Sequence, residues 1–275
     1  MRKSVICMLL ALGCLTACSD KGEKAASKHL LQAEVALQQE NFSEAKLQID
    51  TIKLLYPKAF EARKKGIKLM QQIDLKEQQR NVEYLDSMMS VKQLQLDSIR
   101  SNFVLEKDTA YQEVGNYFYP TQVVEKNLNR CFLRAQVSEQ GVMALTSIYH
   151  GGSNLHHVAV KVSVGESFAE TPASKDSYES SQLGQKTEKA DYLLGEDGGV
   201  IDFIVTNADK NIKVQFLGDR NYRTTMHPND RKAFVHVRKL ATILSGMEQI
   251  RKERKEAKLK INFVTRKMEE KKPVE

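Results

Sequence analysis

Between Pro57 and Pro120 the chain contains no proline, and from Lys58 to Lys107 its only glycine is Gly66. Proline breaks helices because it lacks an N–H and clashes with the preceding turn. A proline-free run rich in Glu, Gln, Lys, Leu and Met therefore predicts one long helix over 58–107. At 1.5 Å per residue, about 50 residues would extend about 75 Å. Val82, Leu85, Met89, Leu96, Ile99 and Phe103 recur at heptad-like steps, with Lys92 in the one interrupting position. That spacing predicts a coiled-coil or spacer arm. The stretch QQIDLKEQQR (71–80) holds only Ile73 and Leu75 as apolar residues and marks where such a helix would break.

The segment before it, 26–57, reads as a helical hairpin. Leu30, Ala33 and Leu37 form one stripe, Asn41-Phe42 interrupts it, Ser43 is placed to cap a second helix, and Ala45, Ile49, Ile52 and Leu55 follow before Pro57. ALQQENFSEAKLQIDTIKLLYP resembles a tetratricopeptide repeat, with Ala33, Phe42, Ala45 and Pro57 at its small, aromatic, small and proline positions. The resemblance covers one repeat of about 34 residues, and such units need about three copies to stand alone, so the hairpin must lean on a neighbour.

From Asn116 to Met226 the texture changes to short strand-like runs separated by turns. CFLRAQV and VMALTSIY flank SEQG, and HVAVKVSV alternates apolar with polar. A polar stretch, 165–190, reads as an exposed loop, and VIDFIVTN and IKVQFLG flank ADKN as a further hairpin. Together these predict an antiparallel β-sandwich or open barrel over 116–226. His227-Pro228-Asn229-Asp230 opens an amphipathic helix, 227–257, that would cover it. Residues 258–275 hold a possible last strand, with Leu259, Ile261 and Phe263 alternating, and a basic tail. The fold class expected is α+β.

The N-terminus bounds where such a chain works. Arg2 and Lys3 precede the uncharged run SVICMLLALGCLTA (4–17), too short for a spanning helix, which needs about 20 residues. Leu15-Thr16-Ala17-Cys18 resembles the lipobox of bacterial lipoproteins. The resemblance implies that 1–17 is a signal peptide, that Cys18 becomes the lipidated first residue, and that polar residues 18–25 form a tether. Several acyl chains on one cysteine would anchor the chain stably in a membrane. Surface-exposed lipoproteins of Bacteroides-like bacteria carry an acidic cluster at this point. Here only Asp20 and Glu23 stand there, so the expected location is the outer membrane facing the periplasm. Cys7 and Cys14 would leave with the signal, and with Cys18 acylated only Cys131 stays free, which excludes an intramolecular disulfide and multi-cysteine zinc sites. Arg2 and Lys3 would leave too, taking the net charge from +7 to +5. That excess sits in residues 251–275, so nucleic acid is not the expected partner. Membrane lipid, through Cys18, and an envelope protein or polymer are.

No motif carries catalysis. GEDGG (195–199) lacks the Lys-Ser/Thr of a phosphate loop, and SEAK (43–46) lacks the partner motifs of penicillin-binding enzymes. His150, His156 and His157 are candidate metal ligands, but adjacent strand residues point to opposite faces, and no acid follows closely as a third ligand. The expectation is no metal and no cofactor. Tyr117, Phe118 and Tyr119 are candidate partner-binding aromatics, Phe118 on one face and both tyrosines on the other. The reading is a non-catalytic scaffold or binding module, with an envelope enzyme or small-ligand binder, or an oligomerising structural lipoprotein, as alternatives.

Overall fold

The structure, a computed structural model, describes residues 3–270, with side chains from residue 21 onward. The signal-peptide assignment of 1–17, the side chain of Cys18 and residues 271–275 lie outside the residues described in full. Among the described residues, five helices, α1 (Lys3–Gln38), α2 (Phe42–Leu55), α3 (Phe60–Arg100), α4 (Val200–Thr206) and α5 (Pro228–Glu269), combine with ten strands in an α+β fold. Two compact units form, Met1–Ser87 with Lys252–Glu275, and Met88–Arg251. No helix among the described residues is long and apolar enough to cross a membrane.

The first unit is helical. Ala26, Ala33, Ala45 and Ala62 are buried in its core, where small side chains let helices approach closely, and Leu30, Ile49, Ile52 and Ile73 fill the space between. Phe42 packs on the same cluster. Asn41, rather than Ser43, caps α2: its side chain accepts the Glu44 N–H at 3.2 Å. The expected tether is corrected, because residues 18–25 continue α1. Glu23 Oε1 accepts the Ala62 N–H at 2.7 Å, satisfying a donor that the start of α3 leaves open. α3 does not break at 71–80. Ile73 is fully buried, and the polar residues around it find partners: Lys46 Nζ lies 2.9 Å from Asp74 and 2.7 Å from Glu77, and Arg80 lies 3.0 Å from Glu40. The strand expected within 258–275 is corrected too. α5 runs on to Glu269 with Ala257 buried and Leu259 and Phe263 exposed. Lys, Glu and Arg favour helix there, and the alternating residues meet no partner strand.

The second unit holds two antiparallel sheets. β1 (Val104–Glu106), β2 (Asn116–Phe118), β3 (Phe132–Ser138), β4 (Met143–Gly151), β7 (Asp176–Gln182) and β8 (Gln185–Leu193) form sheet A in the order β1-β2-β3-β4-β8-β7. β5 (Ala159–Val164), β6 (Ser167–Glu170), β9 (Lys213–Leu217) and β10 (Tyr222–Thr225) form sheet B in the order β10-β9-β5-β6. Leu133, Ala135 and Leu145 of sheet A, Val160, Val214 and Phe216 of sheet B, Ile201 and Ile204 of α4, and Phe234, Val237 and Leu240 of α5 share one core. The 165–190 stretch is not a loop. It supplies β6, β7 and β8, and its inward residues include Glu188, whose charge hides the alternation. VIDFIVT is a helix rather than a strand: Asp197 accepts the Ile201 N–H at 2.6 Å, and Val200, Ile201 and Ile204 bury one face.

One tight approach fixes the β3–β4 turn. Gly141 has φ +83°, and a Cβ there would stand 2.1 Å from the Ser245 backbone nitrogen of α5. Only glycine accepts both the conformation and the contact.

Candidate functional site

Strand β4 sends alternate side chains to two faces with opposite character. Met143, Leu145, Ser147 and Tyr149 enter the core and are all buried. Ile148 and His150 line the outer face of sheet A.

On the core face, Ser147 Oγ lies 2.8 Å from His157 Nε2, and His157 Nδ1 lies 2.9 Å from Glu188 Oε2. This is the serine–histidine–acid order of a nucleophilic triad. A nitrogen lone pair facing a carboxylate would repel it, so Nδ1 carries the proton, and in the neutral imidazole Nε2 is then the acceptor for the Ser147 hydroxyl. The Ser147 contact to the Ala190 carbonyl, at 3.3 Å, is longer. Ser147 is fully buried, with His157 2% and Glu188 1% exposed. The edge of the Phe216 ring closes over the imidazole at 5.2 Å. Ser147 pairs through its backbone with Leu133 on one side and Ala190 on the other, in the middle of sheet A. A nucleophile needs a reacting carbonyl beside it, and none of the grooves described below reaches Ser147.

The work of this cluster is to hold a corner of the chain. Between β4 and β5 the backbone leaves sheet A for sheet B, and His156 takes φ +53°. Its neighbours' N–H groups converge as a nest. Glu188 Oε1 accepts Leu155 N–H at 2.6 Å and His156 N–H at 3.0 Å, and Oε2 accepts His157 N–H and His157 Nδ1–H, both at 2.9 Å. All four lone-pair positions of the carboxylate are thereby used. Burial alone would raise the Glu188 carboxyl, but the bonds from His157 backbone, His157 ring, His156 and Leu155 together hold it below the usual carboxylate range. Tyr192 extends the network by donating to the Val158 carbonyl at 2.8 Å.

The three candidate metal ligands do not converge. His157 points inward. His150 lies on the outer face, with Nδ1 3.1 Å from Thr187 Oγ1. His156 is exposed and pairs with Glu179 at 2.9 Å, and the hydrogen bond and charge of Glu179 raise its imidazole above the ordinary value of 6.5. Ligand atoms of His156, Glu179 and Glu188 do lie within 4.8 Å of one another. Glu188, however, has no lone pair left for an ion, which leaves two exposed side chains on a surface loop and an edge strand.

The outer face of sheet A carries a groove of about 490 Å³. Its floor is Phe132, Arg134, Ile148, His150, Thr187 and Lys189. Its walls are the loop 124–130, with a 3-10 turn at Val124–Lys126, and the β7–β8 turn at Gln182, Leu183 and Gln185. Three cations line it and no carboxylate does. Arg130 is pinned by Asn127 and by the buried carboxylate of Asp230 at 2.7 Å. Arg134 lies on the Phe118 ring at 5.0 Å, and its Nε, shielded from solvent, has no partner. Burial lowers its guanidinium, offset in part by Asp191 and Glu106. Lys189 makes no hydrogen bond or ion pair among the described residues. Arginine forks and an ammonium over an apolar floor are suited to carboxylate or phosphate oxygens.

The aromatic trio is not a surface. Tyr117 and Phe118 are 5% and 4% exposed, and half-buried Tyr119 stacks on His236 at 4.7 Å. Cys131 Sγ donates to the His150 carbonyl at 3.1 Å and accepts the His150 N–H at 3.3 Å, a packing role. Sequence reading missed Glu188, Ser147, Arg134 and Lys189. The Arg134 and Lys189 signal was available as cations within strands β3 and β8, once 165–190 is recognised as strand. The chain matches no protein-family model, no curated protein and no solved structure.

Proposed function

We propose that the protein is a lipid-anchored, non-catalytic binding module of a bacterial cell envelope, held through acylated Cys18 to the outer membrane and facing the periplasm. Its second unit takes the anionic groups of an envelope polymer in the groove on sheet A. The observation that supports this is three cations and no carboxylate in the groove lining, over a floor with apolar Phe132 and Ile148. Anchoring follows from the Leu15-Thr16-Ala17-Cys18 lipobox. Cys18→Ala should abolish lipid labelling and release the protein from membranes. Lys189→Glu should weaken retention on isolated envelope polymer while leaving the fold intact, and unchanged retention would remove the groove from the reading.

The alternative is a hydrolase built on Ser147, His157 and Glu188, favoured by their distances alone. A fluorophosphonate probe tests it: labelling of Ser147 in the folded protein would support the enzyme reading, and its absence the binding one.

A further inference from the structure

The outer face of sheet B presents two ordered rows of side chains across four strands. Register places Arg223, Gln215, Lys161 and Glu170 in one row and Thr225, Lys213, Ser163 and Phe168 in the next. A shallow groove of about 370 Å³ runs over the first three strands. An antiparallel sheet with one polar, solvated face is ordinary. The imbalance of charge is not. Residues 88–251 contain equal numbers of basic and acidic side chains, yet this face gathers three cations against one carboxylate at its edge. That carboxylate, Glu170, is taken by Lys161 at 3.5 Å. Lys213 and Arg223 are exposed and make no hydrogen bond or ion pair among the described residues.

We propose that this face is a second binding site, for a carboxylate-bearing polysaccharide, so that one protein bridges two polymer chains; the bridging rests on the groove of sheet A being the first site. The cations are spread over three adjacent strands, about 9–10 Å from side to side, which a single small oxyanion does not span. Between them Gln215, Ser163 and Thr225 offer amide and hydroxyl groups matched to sugar hydroxyls. Single-stranded nucleic acid needs stacking platforms, and the one aromatic here, Phe168, already has the Lys161 ammonium 3.6 Å from its ring centre. A lipid surface needs an apolar face to insert, and Phe168 alone does not make one. The two sites share no lining residue. Sheets A and B turn their inner faces to one core, so a stiff chain seated on one outer face leaves the other free.

The test uses the lipoprotein held one copy per nanodisc, captured on immobilised polyuronate and then offered fluorescent polyuronate in solution. Wild type should bind the surface and recruit the second chain. Lys213→Glu with Arg223→Glu should keep surface binding through the sheet A groove and lose second-chain recruitment at least about tenfold, because bivalency is gone. The neutral pair Lys213→Gln with Arg223→Gln, checked by its melting curve, should lose it in the same direction. Surface binding by wild type without second-chain recruitment, or undiminished recruitment by both folded variants, overturns the second site while leaving the first. Equal recruitment of neutral dextran, or of polyphosphate in place of polyuronate, overturns the acidic-polysaccharide assignment. No binding of polyuronate by any form overturns the shared ligand and the bridging with it.

Discussion

The two faces of strand β4 invite opposite functional readings, and burial reverses both. The inner face has the order and spacing of a catalytic triad in Ser147, His157 and Glu188, but it is sealed under Phe216 and within the sheet. The outer face has no reactive constellation, and Ala144 and Thr146 are buried on it, yet around Ile148 and His150 it opens into a groove lined by Arg130, Arg134 and Lys189 and by no carboxylate. Triad distances alone therefore do not define an active site. The same Ser–His–acid hydrogen bonds that activate a nucleophile in an open cleft serve in a core to satisfy buried polar groups. Here they pin the corner at which the chain changes sheets.

The largest expected effect tests the structural half of that contrast. Glu188→Ala leaves three N–H groups and an imidazole without their acceptor, and should cost about 3–5 kcal/mol by denaturant unfolding. A loss below about 1 kcal/mol would mean the corner does not depend on the nest. Gly141→Ala should come next, since the added methyl meets Ser245 backbone and φ is positive; a drop of several degrees in Tm is expected, whereas a neutral result would show that the β3–β4 turn can move away from α5. Ser147→Ala removes one buried hydroxyl and leaves Nε2 of His157 without a partner, at about 1–3 kcal/mol. If stability held and a hydrolytic activity vanished instead, the two faces would have to exchange roles. On the outer face, Lys189→Glu should change stability by no more than about 0.5 kcal/mol.

pH sharpens the contrast further. The Glu188 carboxyl is held low in the folded protein, so its stabilisation is present above its ordinary value of 4.5 and lost as pH falls through the depressed folded value. Wild type and Glu188→Gln should therefore differ most near neutrality and converge in acid. His156 behaves in the opposite sense. Its raised value means that any contribution is complete below 6.5 and disappears as pH rises through the folded value. It is exposed, so the visible effect should be confined to its own titration by NMR, with Glu179→Gln returning it towards 6.5.

Local pattern made the helical part legible. The stripe Leu30, Ala33, Leu37 and the polar opening at Pro228 correspond to helices, and the proline-free run 58–107 does so only as far as Arg100, since Val104–Glu106 leaves the helix and pairs with β2 as a strand. The boundaries were lost where a local pattern had no tertiary partner, as at Leu259, Ile261 and Phe263. In the β unit, alternation exposed β3, β4 and β5 but not β8, where Glu188 occupies an inward position that sequence reads as polar surface. The aromatic run Tyr117, Phe118, Tyr119 suits either a partner surface or strand packing by alternation, and its burial makes it packing.

By itself the sequence determined the α+β class, the helical character of the N-terminal third and the antiparallel character of the middle, because periodicity and proline placement act over a few residues. Tertiary structure alone decided which polar residues are buried and which cations are free. Glu188 meets Leu155, His156 and His157 across more than thirty residues of chain, and Arg134, Lys189 and the loop 124–130 become one groove only when β3, β4 and β8 are laid side by side. Long-range register, which no short window of sequence contains, turns a triad into a clamp and gathers scattered basic residues along one groove.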